Sequence, residues 1–187
     1  MPFCYGPGGM TGGTVLSDMR YNYTTVYLRR SFVVADPAAF ASLTLREVID
    51  DGFIVWINGV EVQRYNVYAG EQPYNAGTPV AIGRSPVEVS ANLGNPGDLL
   101  VPGANTIAVH LFNRNLTSSD LHLDLELQAT LPNTNPPATA SPISRRTPSV
   151  VAAGARSTKL PPTTRAVSTT LARSRTGWSC TNAVPAR

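Results

Sequence analysis

Two carboxylates stand side by side at Asp50 and Asp51, followed by Gly52 and the apolar run FIVWI. Paired carboxylates do acid/base work or hold a hard cation only if the two groups converge. Neighbouring side chains on a strand point to opposite faces, so this pair is expected to diverge. Asp before Gly also suits a corner, because the Asp side chain accepts from nearby backbone N–H groups and glycine tolerates positive φ. The corner is the preferred reading. No metal site and no cofactor are expected: a structural calcium would need a loop of oxygen ligands at calcium spacing, and none is visible.

His110 and His122 fall in separate apolar-alternating runs, and zinc would want a third ligand and an orienting shell around it. Asp124 shares a face with His122 but lies only two residues on. Both histidines read as sheet-face or solvated side chains. Ser118-Ser119-Asp120 reads as a turn whose polar side chains close onto backbone; a nucleophilic serine would need a partner histidine and an oxyanion hole. GPGG and GMTGG near the start lack the strand, lysine and helix of a phosphate loop. No catalytic residue is assigned.

A different chemistry fits Tyr65, Asn66, Tyr68 and Tyr74, which follow one another in a single loop, together with Trp56, His110 and Asn113 on strands. Aromatic faces cover the C–H patches of a sugar, and amides or imidazoles meet its hydroxyls. These seven are the candidate ligand-binding residues. The competing reading is that the tyrosines only pin a long loop to the body of the protein.

The elements that must position them are strands. TVYLRRSFVV, LTLREVI, FIVWIN, VEVQRY, TIAVHLFN and LHLDLELQA are rich in β-branched and aromatic residues, PVEVSA adds a shorter run, and no stretch has a sustained 3.6-residue apolar period. Asn58-Gly59 between FIVWI and VEVQRY predicts a two-residue type I′ hairpin, with positive φ at both positions. In the last run Leu121, Leu123, Leu125 and Leu127 face one way, His122, Asp124, Glu126 and Gln128 the other. Ile107, Val109 and Leu111 likewise face the core, leaving Ala108, His110 and Phe112 opposite. The hairpin's first strand is apolar on both faces and is expected to be central and covered. These strands predict an all-β, antiparallel β-sandwich or jelly roll over 1–131.

Charge divides the chain. Residues 1–132 hold seven Arg, no Lys and all twelve acidic residues, net −5; residues 133–187 hold eight basic residues and no acid, net +8. The whole-chain +3 averages two unlike segments, and no specific nucleic-acid partner follows from it. Residues 132–187, opening with PNTNPPATASP, contain one aromatic and no periodic apolar face, and are expected to be a disordered linker and tail. A GC-rich gene read out of frame tends to produce such a composition. Cys4 and Cys180 form no disulfide framework. No apolar run reaches the ~20 residues of a membrane span, and the opening MPFCYGPGGM lacks the basic start and apolar core of a signal peptide.

Four marks occur in order between Thr24 and Ala129: an opening strand with the paired basics Arg29 and Arg30, the hairpin DDGFIVWINGVEV, the strand GANTIAV, and the exit SSDLHL. Together they resemble the galactose-binding-domain-like β-sandwich modules of large secreted bacterial proteins. The resemblance implies a non-catalytic module, secreted or on the cell surface, beside other domains of a larger parent chain. It also implies more sequence before the first strand, including another strand, so the start is expected to be internal. Carbohydrate or cell-surface binding is the function expected. The alternatives are the appendage of a hydrolase such as a metallophosphoesterase, whose catalytic domain lies outside this chain, and a structural spacer without ligand.

Overall fold

The computed structural model describes residues 3–6, 13–83 and 85–132, together with the backbone of Ser168–Thr170 and Ser179–Thr181. The chain forms β1 (Phe3–Tyr5), β2 (Thr14–Val15), β3 (Thr25–Val34), β4 (Ser42–Asp50), β5 (Gly52–Ile57), β6 (Val60–Tyr65), β7 (Val87–Gly94), β8 (Gly103–Phe112), β9 (Leu121–Thr130), β10 (Ser168–Thr170) and β11 (Ser179–Thr181). Single 3-10 turns at Pro37–Ala39 and Pro96–Asp98 are the only helical pieces among the described residues. One sheet runs β2-β1-β9-β4-β7, with β10 also pairing with β9; the other runs β11-β3-β8-β5-β6. Every pairing is antiparallel except β1 with β2. The protein is an antiparallel β-sandwich.

Alternation explains which faces meet. Leu121, Leu123, Leu125 and Leu127 of β9 pack with Leu43, Leu45 and Ile49 of β4 on one inner face; Phe53, Val55, Ile57, Ile107, Val109 and Leu111 line the other, all buried in one core. Each such side chain contributes roughly 1.5–3 kcal/mol when fully buried. Leu100 also enters the core, with Leu99 packed against it, while Val101 next to them is exposed. One inward position breaks the pattern. Glu47 lies between Leu45 and Ile49 in the alternation of β4, opposite Leu125 of β9, and is only 2 % exposed.

The hairpin has the predicted turn. Ile57 pairs with Val60, and Asn58 and Gly59 sit at φ of 50° and 85°. The Asn58 side chain anchors that end of the sandwich: it donates to the Leu99 carbonyl and to Asn105 Oδ1, both at 2.8 Å, and accepts from the Thr106 N–H at 2.9 Å. Strand β5 lies between β8 and β6, and Ile54 on its outer face is buried, as expected of a central, covered strand.

Two features lay beyond the sequence reading. Strands β1 and β2 come from a segment too short and glycine-broken to show alternation. In the basic tail, Ser168–Thr170 pairs with β9 and Ser179–Thr181 with β3, where no strand was expected. The expectation of disorder for the rest of 133–187 lies outside the described residues.

Candidate functional site

The Asp50–Asp51 corner joins the two sheets, since β4 belongs to one and β5 to the other; it is not the corner of a hairpin. The peptide between them is cis. The Asp51 carboxylate accepts the Ile82 N–H through Oδ1 and the Arg114 N–H through Oδ2, each at 2.7 Å. It therefore ties two distant loops to the start of β5. Gly52 serves a different purpose from the one its type suggested. Its φ is not positive; a Cβ there would meet the Asn66 carbonyl at 2.7 Å and Thr78 Cγ2 at 2.8 Å. The need is for close approach rather than a left-handed backbone.

The expected divergence of the two carboxyls is also corrected, because Asp50 ends one strand and Asp51 stands between two. Burial first, then a hydrogen bond and the charge of Asp51, push the Asp50 carboxyl up to about 8. His122 lies across from Asp50 on β9, buried, with neither ring nitrogen hydrogen-bonded, and burial lowers its pKa. Among the described residues no three His, Cys, Asp or Glu side chains converge as metal ligands. Ser118 and Ser119 hydroxyls donate to the Asp120 carbonyl and carboxylate, as a closed turn would have them.

The outer face of the five-stranded sheet carries a groove of about 660 Å³. Its floor follows from the register. Arg64, Ile54, His110 and Tyr27 form one row across β6, β5, β8 and β3; Glu61 and Trp56 begin the next, which runs on through Ala108 and Arg29 outside the groove's lining. The loop 69–72 walls one side. Tyr27 stacks on His110 with ring centroids 4.0 Å apart, and Phe112 lies 3.8 Å from His110 on the other side. His110 is buried, and its Nε2 has no hydrogen-bond partner. Burial, then the Arg64 charge, push its pKa down to about 4, so the imidazole is neutral at pH 7.

A β-bulge builds the polar wall. Trp56 pairs with Glu61 but Val55 with Gln63, so one extra residue in β6 reverses the parity. Glu61 and Arg64, which strict alternation would separate, share the outer face and form a bidentate pair with both contacts at 2.8 Å. That pairing raises the Arg64 pKa and lowers that of Glu61. Arg64 Nη1 donates to the Tyr68 and Gly70 carbonyls at 2.6 and 3.1 Å, and Gln72 Nε2 donates to Tyr68, Ala69 and Gly70 carbonyls. The loop wall is thus held in place by two side chains.

Of the seven residues suggested by sequence, Trp56 and His110 line this groove. Tyr65 turns inward and stacks on Phe53 at 6.0 Å. Asn66, at φ 50°, donates to the Asp51 and Val80 carbonyls. Tyr68 and Tyr74 rings are exposed, while their carbonyls accept from Arg64 and from the Thr25 hydroxyl. Asn113 is buried beside the corner and donates to the Tyr5 hydroxyl. Sequence reasoning missed Tyr27, Glu61, Arg64 and Gln72. Parity with Val26 and Leu28 would have placed Tyr27 outward; nothing local announces the bulge. A second hollow, about 370 Å³, lies on the six-stranded sheet among Arg46, Glu88, Asp124 and Glu126 and has no aromatic wall.

No protein-family model and no curated protein matches the chain. Among solved structures it is similar to an α-L-rhamnosidase from Streptomyces avermitilis complexed with L-rhamnose, at 22% identity and a TM-score of 0.39, over 58% of this chain and 9% of that one. The α-L-rhamnosidase of Aspergillus terreus gives 20% identity and 0.39 over 58% and 13%. A β-D-mannosidase from Dictyoglomus thermophilum gives 15% identity and 0.33 over 57% and 19%. The chain spans less than a fifth of the length of each of these structures.

Proposed function

We propose that this chain is a galactose-binding-like jelly-roll module that binds carbohydrate without cleaving it, as an accessory part of a larger extracellular protein. The observation that carries this reading is the groove on the five-stranded sheet, where the Trp56 indole lies one strand from a buried, neutral His110 whose Nε2 is unpartnered. An aromatic face takes the C–H side of a pyranose, and the polar side chains that line the same groove, Glu61, Arg64 and Gln72, offer groups to its hydroxyls. Small-ligand sites of this kind combine apolar walls with a few placed polar groups. The binding-only reading has its own support. Glycoside cleavage uses a pair of carboxyl groups flanking the bond, one of them held protonated. Of the two carboxylates that line the groove, Glu61 is fixed on Arg64 and Glu71 stands in the loop wall, while the two carboxyls with strongly raised pKa, Glu47 and Asp50, lie in the core and at the corner.

The test is calorimetric or NMR titration of the full chain against a panel of oligosaccharides, repeated with Trp56→Ala. Loss of one stacked aromatic should weaken binding at least tenfold while the fold, read by circular dichroism, is unchanged. Absence of binding to every member of the panel, or binding indifferent to Trp56, overturns the reading.

A further inference from the structure

We infer that the groove takes a glycan bearing free amino groups and that Glu71 is the residue that selects it. This deepens the carbohydrate reading and rests on it. Most hydrogen-bond donors of the lining are already engaged within the protein. Arg64 donates from Nε and Nη2 to the Glu61 carboxylate and from Nη1 to the Tyr68 and Gly70 carbonyls, which leaves one of its five N–H groups. The Gln72 amide donates from Nε2 to the Tyr68, Ala69 and Gly70 carbonyls. His110 is 3 % exposed and pressed between Tyr27 and Phe112, so its ring meets other rings rather than the open groove. What remains of the polar lining is mainly acceptors: the Glu71 carboxylate, the Gln72 amide oxygen and the unused lone pairs of Glu61. A lining of acceptors fits a ligand that donates.

The charges point the same way. Glu61 and Arg64 cancel as a bidentate pair, and His110 is neutral at pH 7, so Glu71 leaves the lining with one net negative charge. Its carboxylate is exposed and makes no hydrogen bond or ion pair with another described residue. Burial first, then the Glu71 charge, raises the Tyr27 pKa, which sets that carboxylate toward the β3 end of the groove. The loop that carries it is held on both sides. The Gly70 carbonyl before it accepts from Arg64 and Gln72, and Gln72 after it is bound through its own side chain. An ammonium has three donors and no acceptor, so it matches a carboxylate set among acceptors, while the ring that bears it lies on Trp56. Uronates and sulfated sugars meet the same charge with the wrong sign.

The experiment titrates the full chain with sugars that share a backbone and differ only at C2, as hydroxyl, acetamido or amino: β-1,4-linked glucose, N-acetylglucosamine and glucosamine oligomers, and the corresponding galactose series. In at least one series the amine should bind roughly two- to fivefold tighter than both partners at low salt. That preference should shrink as salt rises, and again as pH rises through the amine's own pKa. Glu71→Gln should bring the amine down to its uncharged partners without weakening them, and Glu71→Asp should restore part of the difference. Trp56→Ala should weaken all three members alike. Equal affinities within every series, an amine preference that survives Glu71→Gln, or a Glu71→Gln effect of the same size on every member overturns the role of Glu71 and leaves the carbohydrate reading standing. No binding by any member, or no response to Trp56→Ala, overturns both.

Discussion

Single residues carry unequal weight here. Glu47 is a carboxyl inside a leucine-lined core with neither oxygen hydrogen-bonded, and burial raises its pKa from 4.5 to about 8. Between those values the folded chain keeps a proton that the unfolded chain has lost, so this group's contribution to stability falls as pH rises through the window and is level on either side. Asp50, also raised to about 8, acts in the same sense, while His110, lowered to about 4, acts oppositely below pH 6.5. The difference between wild type and Glu47→Leu isolates the first. That variant should melt several degrees higher at pH 9, a gain on the order of a few kcal/mol, and show a smaller gain at pH 5. Thermal scans at both pH values check it; an equal shift at both would refute the buried-charge account. Asp51 is the reverse case, a buried carboxylate with both oxygens used. Asp51→Ala strands the Ile82 N–H and leaves the Arg114 N–H only Asn113 Oδ1, and should cost about 2 kcal/mol or more in urea unfolding. A loss under about 1 kcal/mol would mean that water replaces the carboxylate.

Turn and strand geometry decides what the elements present. Gly59 holds φ of 85°, and a Cβ there meets no atom within 4 Å. Gly59→Val therefore tests backbone preference with its Cβ in open space, and the expected loss is about 1 kcal/mol or more. An unchanged denaturation midpoint would argue against the I′ turn. The bulge in β6 has the opposite effect, building the groove's polar wall from an irregularity. It aligns Glu61 with Arg64 beside Trp56, and Arg64 with Gln72 then holds the loop wall through its carbonyls. A regular β6 would have sent one of the pair to the other face.

At the scale of the whole molecule, an acidic sandwich and a basic tail share one chain, net −5 and +8. Attraction between exposed charges is screened within about 8 Å at physiological salt. The described contacts of the tail are three-residue pairings at β9 and β3, and three-residue pairings hold little on their own. Removing 133–187 is expected to leave cooperative unfolding intact with a Tm change of at most about 4 °C. Differential scanning calorimetry of the two chains, with limited proteolysis, tests this. A larger fall would show that β10 and β11 are integral to the sheets.

Local chemistry was enough for the sequence to determine most of the sandwich. The alternation in β4, β8 and β9 and the Asn58-Gly59 turn are properties of near neighbours: side chains alternate with period two, and positive φ selects its residues wherever it occurs. Hence the core leucines, the outward parity of His110 and the central place of β5 were all legible. What brings the groove together is not local. One inserted residue in β6 inverts a parity that composition cannot reveal, and Asp51 finds its partners 31 and 63 residues away. Only the tertiary structure decided that Trp56 and His110 converge while Tyr65, Asn66 and Asn113 turn to other tasks. Packing assigns each side chain the face and the partners that its own segment leaves open.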